Sequence, residues 1–121
     1  MAPDLMTQRN IQQFIQLTRL ELQQIQSDIY WRTSDFEVWL NYRNKRIHLS
    51  QCLITETDDS MLMEALRQWQ PTRFYGIPQR FFILNRKLVV NCTPLADSTA
   101  EHWFRLYQRQ QAFLENLCHP T

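Results

Sequence analysis

The sequence predicts an α+β fold with a largely antiparallel sheet, its elements running helix, strands, helix, strands, helix. Three stretches predict it. Phe36, Val38, Leu40 and Tyr42 alternate with Glu37, Trp39, Asn41 and Arg43, the two-residue period of a half-buried strand. Residues 81–84 and 88–92 are apolar runs broken by Asn85, Arg86 and Lys87, which reads as a β-hairpin. Trp103, Leu106, Tyr107, Gln110, Leu114 and Leu117 recur at three- and four-residue steps, one helical stripe with Gln110 as its polar member. A hairpin feeding such a helix packs face to stripe, since neither buries its apolar side alone. This unit anchors the fold.

The remaining elements follow in order. Residues 1–6 are expected to fray, and Thr7 to cap a helix reaching about Gln26. Ile11, Phe14, Ile15, Leu22 and Ile25 form its stripe; Leu17 and Leu20 widen that face or meet a second partner. Ser27 and Asp28 break the helix. Residues 29–33 make a short strand, and Ser34 with Asp35 turns the chain into the alternating strand. Arg43 to Arg46 is a polar turn, after which Ile47, Leu49 and Leu53 alternate with His48, Ser50 and Cys52. Thr57, Asp58 or Ser60 starts a short helix carrying Met61, Leu62, Ala65, Leu66 and Trp69, and Pro71 ends it. Arg73 to Gly76 reads as a brief edge strand. Thr93 and Pro94 end the last strand, Asp97 or Ser98 caps the last helix, and His119 with Pro120 closes it. The whole chain, 1–121, reads as a single domain with neither repeat nor linker.

Composition narrows the function. With 44% hydrophobic and 12% aromatic residues the chain has material for a core. Thirteen basic and 12 acidic side chains leave a formal charge of +1, so the total gives no electrostatic case for a nucleic-acid partner. No apolar run approaches the ~20 residues of a membrane span, and the first residues lack a signal peptide's charged start and apolar core. Three widely spaced cysteines, Cys52, Cys92 and Cys118, read as free thiols in a reducing cytoplasm. A single glycine, Gly76, argues against a glycine-rich phosphate loop, and no cofactor is expected.

Chemistry finds few anchors. His48, His102 and His119 lack metal-finger spacing with the cysteines, except loosely His48 with Cys52, and satisfied or solvated histidines are the expectation rather than a metal site. Cys92, near the start of the last helix, is the best thiol nucleophile, but residues 94–96 intervene and a core thiol is the stronger reading. The acids sit mostly in loops and caps, and nothing nominates a catalytic pair; no catalytic residue is expected. Arg43, Lys45, Arg46, Arg86 and Lys87 near aromatics support an alternative, a small α+β nucleic-acid-binding module, with a solvated turn as the plainer reading. Trp39 falls on the polar side of its strand. Either a second helical layer covers it or it marks a partner surface.

The order of elements resembles that of the class I chaperones of bacterial type III secretion. The likeness is carried by Phe36 to Leu53 as a central hairpin, Met61 to Trp69 as the middle helix, Phe81 to Cys92 as a second hairpin and Ala100 to Leu117 as the last helix. The terminal part looks most like the small chaperone that pairs with a second chaperone to hold the secretion gatekeeper. The family is usually acidic, whereas this chain is near neutral. The resemblance implies a cytoplasmic dimer, homodimeric or paired with a second chaperone. It implies no catalysis and no membrane insertion. Such a chaperone holds an extended segment of a secreted effector or gatekeeper in apolar grooves and along open strand edges. Carried over, it nominates Leu62, Leu66, Trp69 and Phe74 for the dimer contact. Phe14, Leu17 and Trp39 are nominated for the bound segment.

Overall fold

The structure, a computed structural model, describes residues 3–20 and 27–118. The elements are α1 (Leu5–Leu17), β1 (Asp28–Arg32), β2 (Phe36–Arg43), β3 (Arg46–Leu53), α2 (Asp59–Gln68), a 3-10 turn (Pro71–Phe74), β4 (Gln79–Leu84), β5 (Lys87–Cys92) and α3 (Ala100–Cys118). The expected order of helix, strands, helix, strands, helix holds. The five strands form one antiparallel sheet in the order β1-β2-β3-β5-β4. The β4–β5 hairpin folds back so that β5 lies against β3 and β4 is left at the rim.

Register separates the two faces of the sheet. Trp31, Val38, Gln51, Val90 and Phe81 line up across all five strands on one face. The helices meet this face. Phe14 of α1 packs edge-on against Trp31 and Tyr107, with ring centroids 6.2 and 5.8 Å apart. Phe113 of α3 reaches Phe81 and Phe74 at 5.4 and 5.6 Å, and Trp69, just past α2, reaches Phe81 at 6.1 Å. The expected α3 stripe is buried along its length, with Phe113 added to it. Burying a large apolar side chain contributes about 1.5–3 kcal/mol, so each ring of this seam adds to the cohesion between helices and sheet.

The β2–β3 and β4–β5 hairpins turn without glycine. Asn44 and Lys45, and Asn85 and Arg86, have φ between 52 and 63°, as a two-residue type I′ turn requires at both central positions. Asparagine tolerates the left-handed region better than most residues, which explains its place at the first position of each turn.

Four local expectations are corrected. Asp4, not Thr7, caps α1: its carboxylate accepts from the Thr7 N–H at 2.7 Å, so the helix begins at Leu5 and includes residues expected to fray. The helix ends at Leu17, not near Gln26. Arg19 takes a left-handed φ of 60°, and the N–H groups of Arg19 and Leu20 return to the carbonyls of Gln16 and Ile15, the paired bonds of a Schellman stop. Arg73 to Gly76 is no strand, because Pro71 at the first helical position starts a 3-10 turn that Tyr75 and Gly76 leave at positive φ. Neither Asp97 nor Ser98 caps α3; its first N–H, on Ala100, is met by the Asn10 side chain of α1 at 3.1 Å. The Ser98 hydroxyl donates to the Leu95 carbonyl and accepts from the Trp103 indole instead. Leu22, Ile25, His119 and Pro120 lie outside the described residues.

Candidate partner-binding surface

β4 is the least covered apolar strand. It pairs with β5 on one side, and its other edge is open within the sheet. Phe82, Ile83 and Leu84 are 41, 37 and 50% exposed, although all three are large and apolar. An edge strand presents unpaired N–H and C=O groups, and proteins usually blunt such edges with charge or proline. Pro78 precedes β4, but residues 81–84 carry no such guard. Alongside lies α2, started by Asp58, whose carboxylate accepts from the Met61 N–H at 3.1 Å. Its Ala65 is buried, while Met63 and Leu66, one turn apart, are 59 and 50% exposed. Helix and strand together present apolar side chains beside an open edge.

The face of the sheet away from the aromatic seam is differently built. Tyr30 and Trp39 lie opposite each other on β1 and β2, their rings 5.4 Å apart, with Tyr30 half exposed. Across β3, β5 and β4 the same row continues as Ser50, Asn91 and Arg80, joined by hydrogen bonds of 2.7 and 2.8 Å. In the next row Glu37 stands beside Cys52 and pairs with Lys87, which lies one row further along β5, so the ion pair reaches diagonally from β2 to β5 across β3. This pair helps to explain why Cys52 and Val89 are buried on a face without a helix.

The nominated residues divide. Leu66 is exposed, and Leu62 and Trp69 are part-buried against the core beside it. Phe74 is fully enclosed against Phe113 and offers no surface to a second chain, which corrects its nomination. Phe14 is likewise corrected. It is fully buried among Trp31, Trp103 and Tyr107, so the ring serves the core. Leu17 is part-buried at the end of α1, and Trp39 stands part-exposed beside Tyr30 rather than under a second helical layer. The sequence makes Phe82, Ile83 and Leu84 one side of a hairpin packed on the last helix, whereas all three are more than a third exposed. The signal that sets them apart is the unbroken apolar run from Phe81 to Leu84, which lacks the alternation of β2.

The groups with chemical potential are dispersed or muted. Burial pushes the Cys92 thiol up to about 12 and the Cys52 thiol up to about 11, away from the reactive thiolate. His48 and Cys52 share a face but lie four residues apart on one strand, about 13 Å at strand rise. Among the described residues no three His, Cys, Asp or Glu side chains converge as metal ligands. Of the five cations of the nucleic-acid alternative, Arg43 pairs with Asp28, Lys87 with Glu37, and Arg46 donates to the Pro94 carbonyl. Among the described residues no helix is long and apolar enough to cross a membrane.

Residues 4–117 match the SsaM family. The chain is 47% identical over 116 residues to the secretion system apparatus protein SsaM of Salmonella typhimurium, with 95% of each chain covered. The crystal structure of YbjN from E. coli is similar at a TM-score of 0.55 and 16% identity, over 97% of this chain and 93% of that one. That second likeness is one of fold alone.

Proposed function

We propose that this chain, which belongs to the SsaM family, is a type III secretion chaperone that holds an extended segment of a secreted effector or gatekeeper protein and catalyses nothing. The observation that carries the reading is the open β4 edge, with exposed Phe82, Ile83 and Leu84 beside Met63 and Leu66 of α2. An extended segment laid along such an edge gains main-chain hydrogen bonds, and its alternate side chains meet apolar surface on each face of the sheet. That keeps a client unfolded and ready for export. Leu62, Leu66 and Trp69 then belong to the contact with a second subunit, identical or not. Leu17 and the Tyr30–Trp39 pair offer further surface to a bound segment. A cytoplasmic site of action follows from a role before export. The relative named as a secretion system apparatus protein supports the setting.

The test is co-expression with each product of the neighbouring secretion genes, followed by size-exclusion chromatography with light scattering. The reading expects a complex of fixed stoichiometry with at least one of them. A chain that elutes alone and monomeric in every combination overturns it.

A further inference from the structure

We infer that the hollow between Arg73 and Arg109 takes an acidic side chain of a partner protein, with an apolar neighbour beside it. The inference rests on the partner-holding role proposed above and adds a contact made by neither β4 nor α2. The hollow, of about 290 Å³, opens between the 3-10 turn and α3. It is lined by Arg73, Arg109 and Asn116, all exposed and all able to donate hydrogen bonds, by Ala112, and by the buried Phe74 and Phe113. A carboxylate meets donors there, and a short apolar side chain next to it meets Ala112 and the phenylalanines.

The positive charge of the hollow is unbalanced. Among the described residues neither Arg73 nor Arg109 meets a carboxylate. The residues three and four positions from Arg109 along α3 are Arg105, Leu106, Ala112 and Phe113, so the helix itself supplies no acid. Like charges four residues apart, as Arg105 and Arg109 are, destabilise a helix. Of the two acids of α3, Glu101 stands one turn before Arg105, and Glu115 lies about a third of a turn around the helix from Arg109. Arg109 is also fixed in advance. Its Nε donates to the Tyr75 hydroxyl at 3.3 Å, and its guanidinium carbon lies 5.5 Å from the centre of the Tyr75 ring. Its two terminal amino groups, the pair that meets a carboxylate side by side, make no hydrogen bond among the described residues. Tyr75 provides this support from a left-handed φ of 55°, a costly conformation for a bulky residue, while its ring stays 46% exposed. An arginine held still before its partner arrives loses less entropy on binding.

Two other occupants fit less well. A nucleic acid finds a chain of net charge +1 and a hollow with an apolar floor. A second copy would have to offer its acidic stretch at residues 56–59, where Asp58 already accepts from the Met61 N–H and the Ser60 hydroxyl. Such a loop-to-helix contact is not reciprocal, so it would grow into open chains instead of closing as a dimer. The probe is a fluorophore-labelled Glu-Leu-Glu-Glu-Leu-Glu peptide, with Gln-Leu-Gln-Gln-Leu-Gln as its neutral counterpart, titrated by anisotropy to millimolar concentration at low salt. The acidic peptide is expected to bind about five-fold more tightly, the ratio for two exposed charge pairs, and the preference should shrink as salt rises. It should vanish in the Arg73→Gln, Arg109→Gln double variant and persist in Lys45→Gln, Arg86→Gln, which removes the same charge elsewhere. All four side chains are exposed, so both variants should keep the parent's circular dichroism spectrum.

Equal binding of the two peptides overturns the inference, as does a preference lost equally in the two double variants. So does a single-stranded oligonucleotide that binds the parent more tightly than the acidic peptide and is released by Arg73→Gln, Arg109→Gln, and so does self-association of the parent that the same variant abolishes. Failure of both peptides to bind a chain that still forms a complex with a secretion-gene product overturns this contact alone. Failure of both peptides and of every co-expressed partner overturns the partner-holding role as well.

Discussion

Replacing Gln110 should damage this fold more than any surface change, because its side chain ties the last helix to three strands. Gln110 is fully buried in α3. Its amide nitrogen lies 3.0 Å from Gln79 Oε1, 3.3 Å from the Leu49 carbonyl and 3.5 Å from Cys92 Sγ. Its oxygen accepts from Gln51 Nε2 at 2.9 Å, and Gln51 also donates to the Tyr107 carbonyl at 2.9 Å. Gln110→Leu keeps the volume but strands one Gln51 N–H and the Gln79 oxygen in a buried site. Each stranded buried group costs about 1–3 kcal/mol, offset in part by the added apolar burial, so a net loss of about 2–4 kcal/mol is expected. In urea unfolding followed by tryptophan fluorescence, that loss lowers the midpoint by about 1–2 M for a slope typical of a small domain. The triple change of Gln51, Gln79 and Gln110 to Leu removes all three side-chain amides together, leaving only backbone carbonyls and a thiol of the network, and should recover most of the loss. A single variant as stable as the parent would refute the reasoning, and so would a triple variant weaker than the single one.

Lys45→Gly should stabilise by about 1 kcal/mol, read as a rise in urea midpoint, because Lys45 holds a φ of 60° that costs an L-residue roughly that much. Asn10→Ala should cost about 1 kcal/mol by uncapping the first N–H of α3 from another helix, and Asn10→Asp should retain most of it. Burial, with nearby arginines, holds His48 and His102 below their ordinary 6.5. As pH falls through 6.5 the unfolded chain takes up these protons first, so stability declines and then levels off below the folded-state values. Urea midpoints between about pH 8 and about pH 5 check this, and His48→Gln should flatten part of the slope.

The parts of the fold that rest on periodicity were legible in the sequence. The alternation of β2 and the stripe of α3 each specify a buried face by spacing alone, and both faces are buried as expected. Helix ends were less legible, because they depend on single hydrogen bonds that compete within a few residues. Asp4 and Thr7 are both eligible caps, and only the chain path decides between them. The Asn10 cap of Ala100 spans 90 residues and leaves no local signature. The enclosure of two nominated residues escaped the sequence for a related reason. Phe14 and Phe74 look as available as Leu66 in sequence, yet the Trp31, Tyr107 and Phe113 rings enclose the first two. Exposure at Phe82 to Leu84 follows from β4 being placed at the rim of the sheet, which is a property of strand order and not of composition.

The most direct test replaces the rim residues of β4 and asks whether the fold and the grip separate. Phe82→Ser, Ile83→Asn and Leu84→Ser together remove side chains that are already more than a third exposed, so the far-ultraviolet circular dichroism spectrum should be unchanged. Light scattering of the variant co-expressed with the secretion protein that the parent chain retains should then show two separate species. An intact complex of the parent's mass would mean that the chain holds its partners elsewhere.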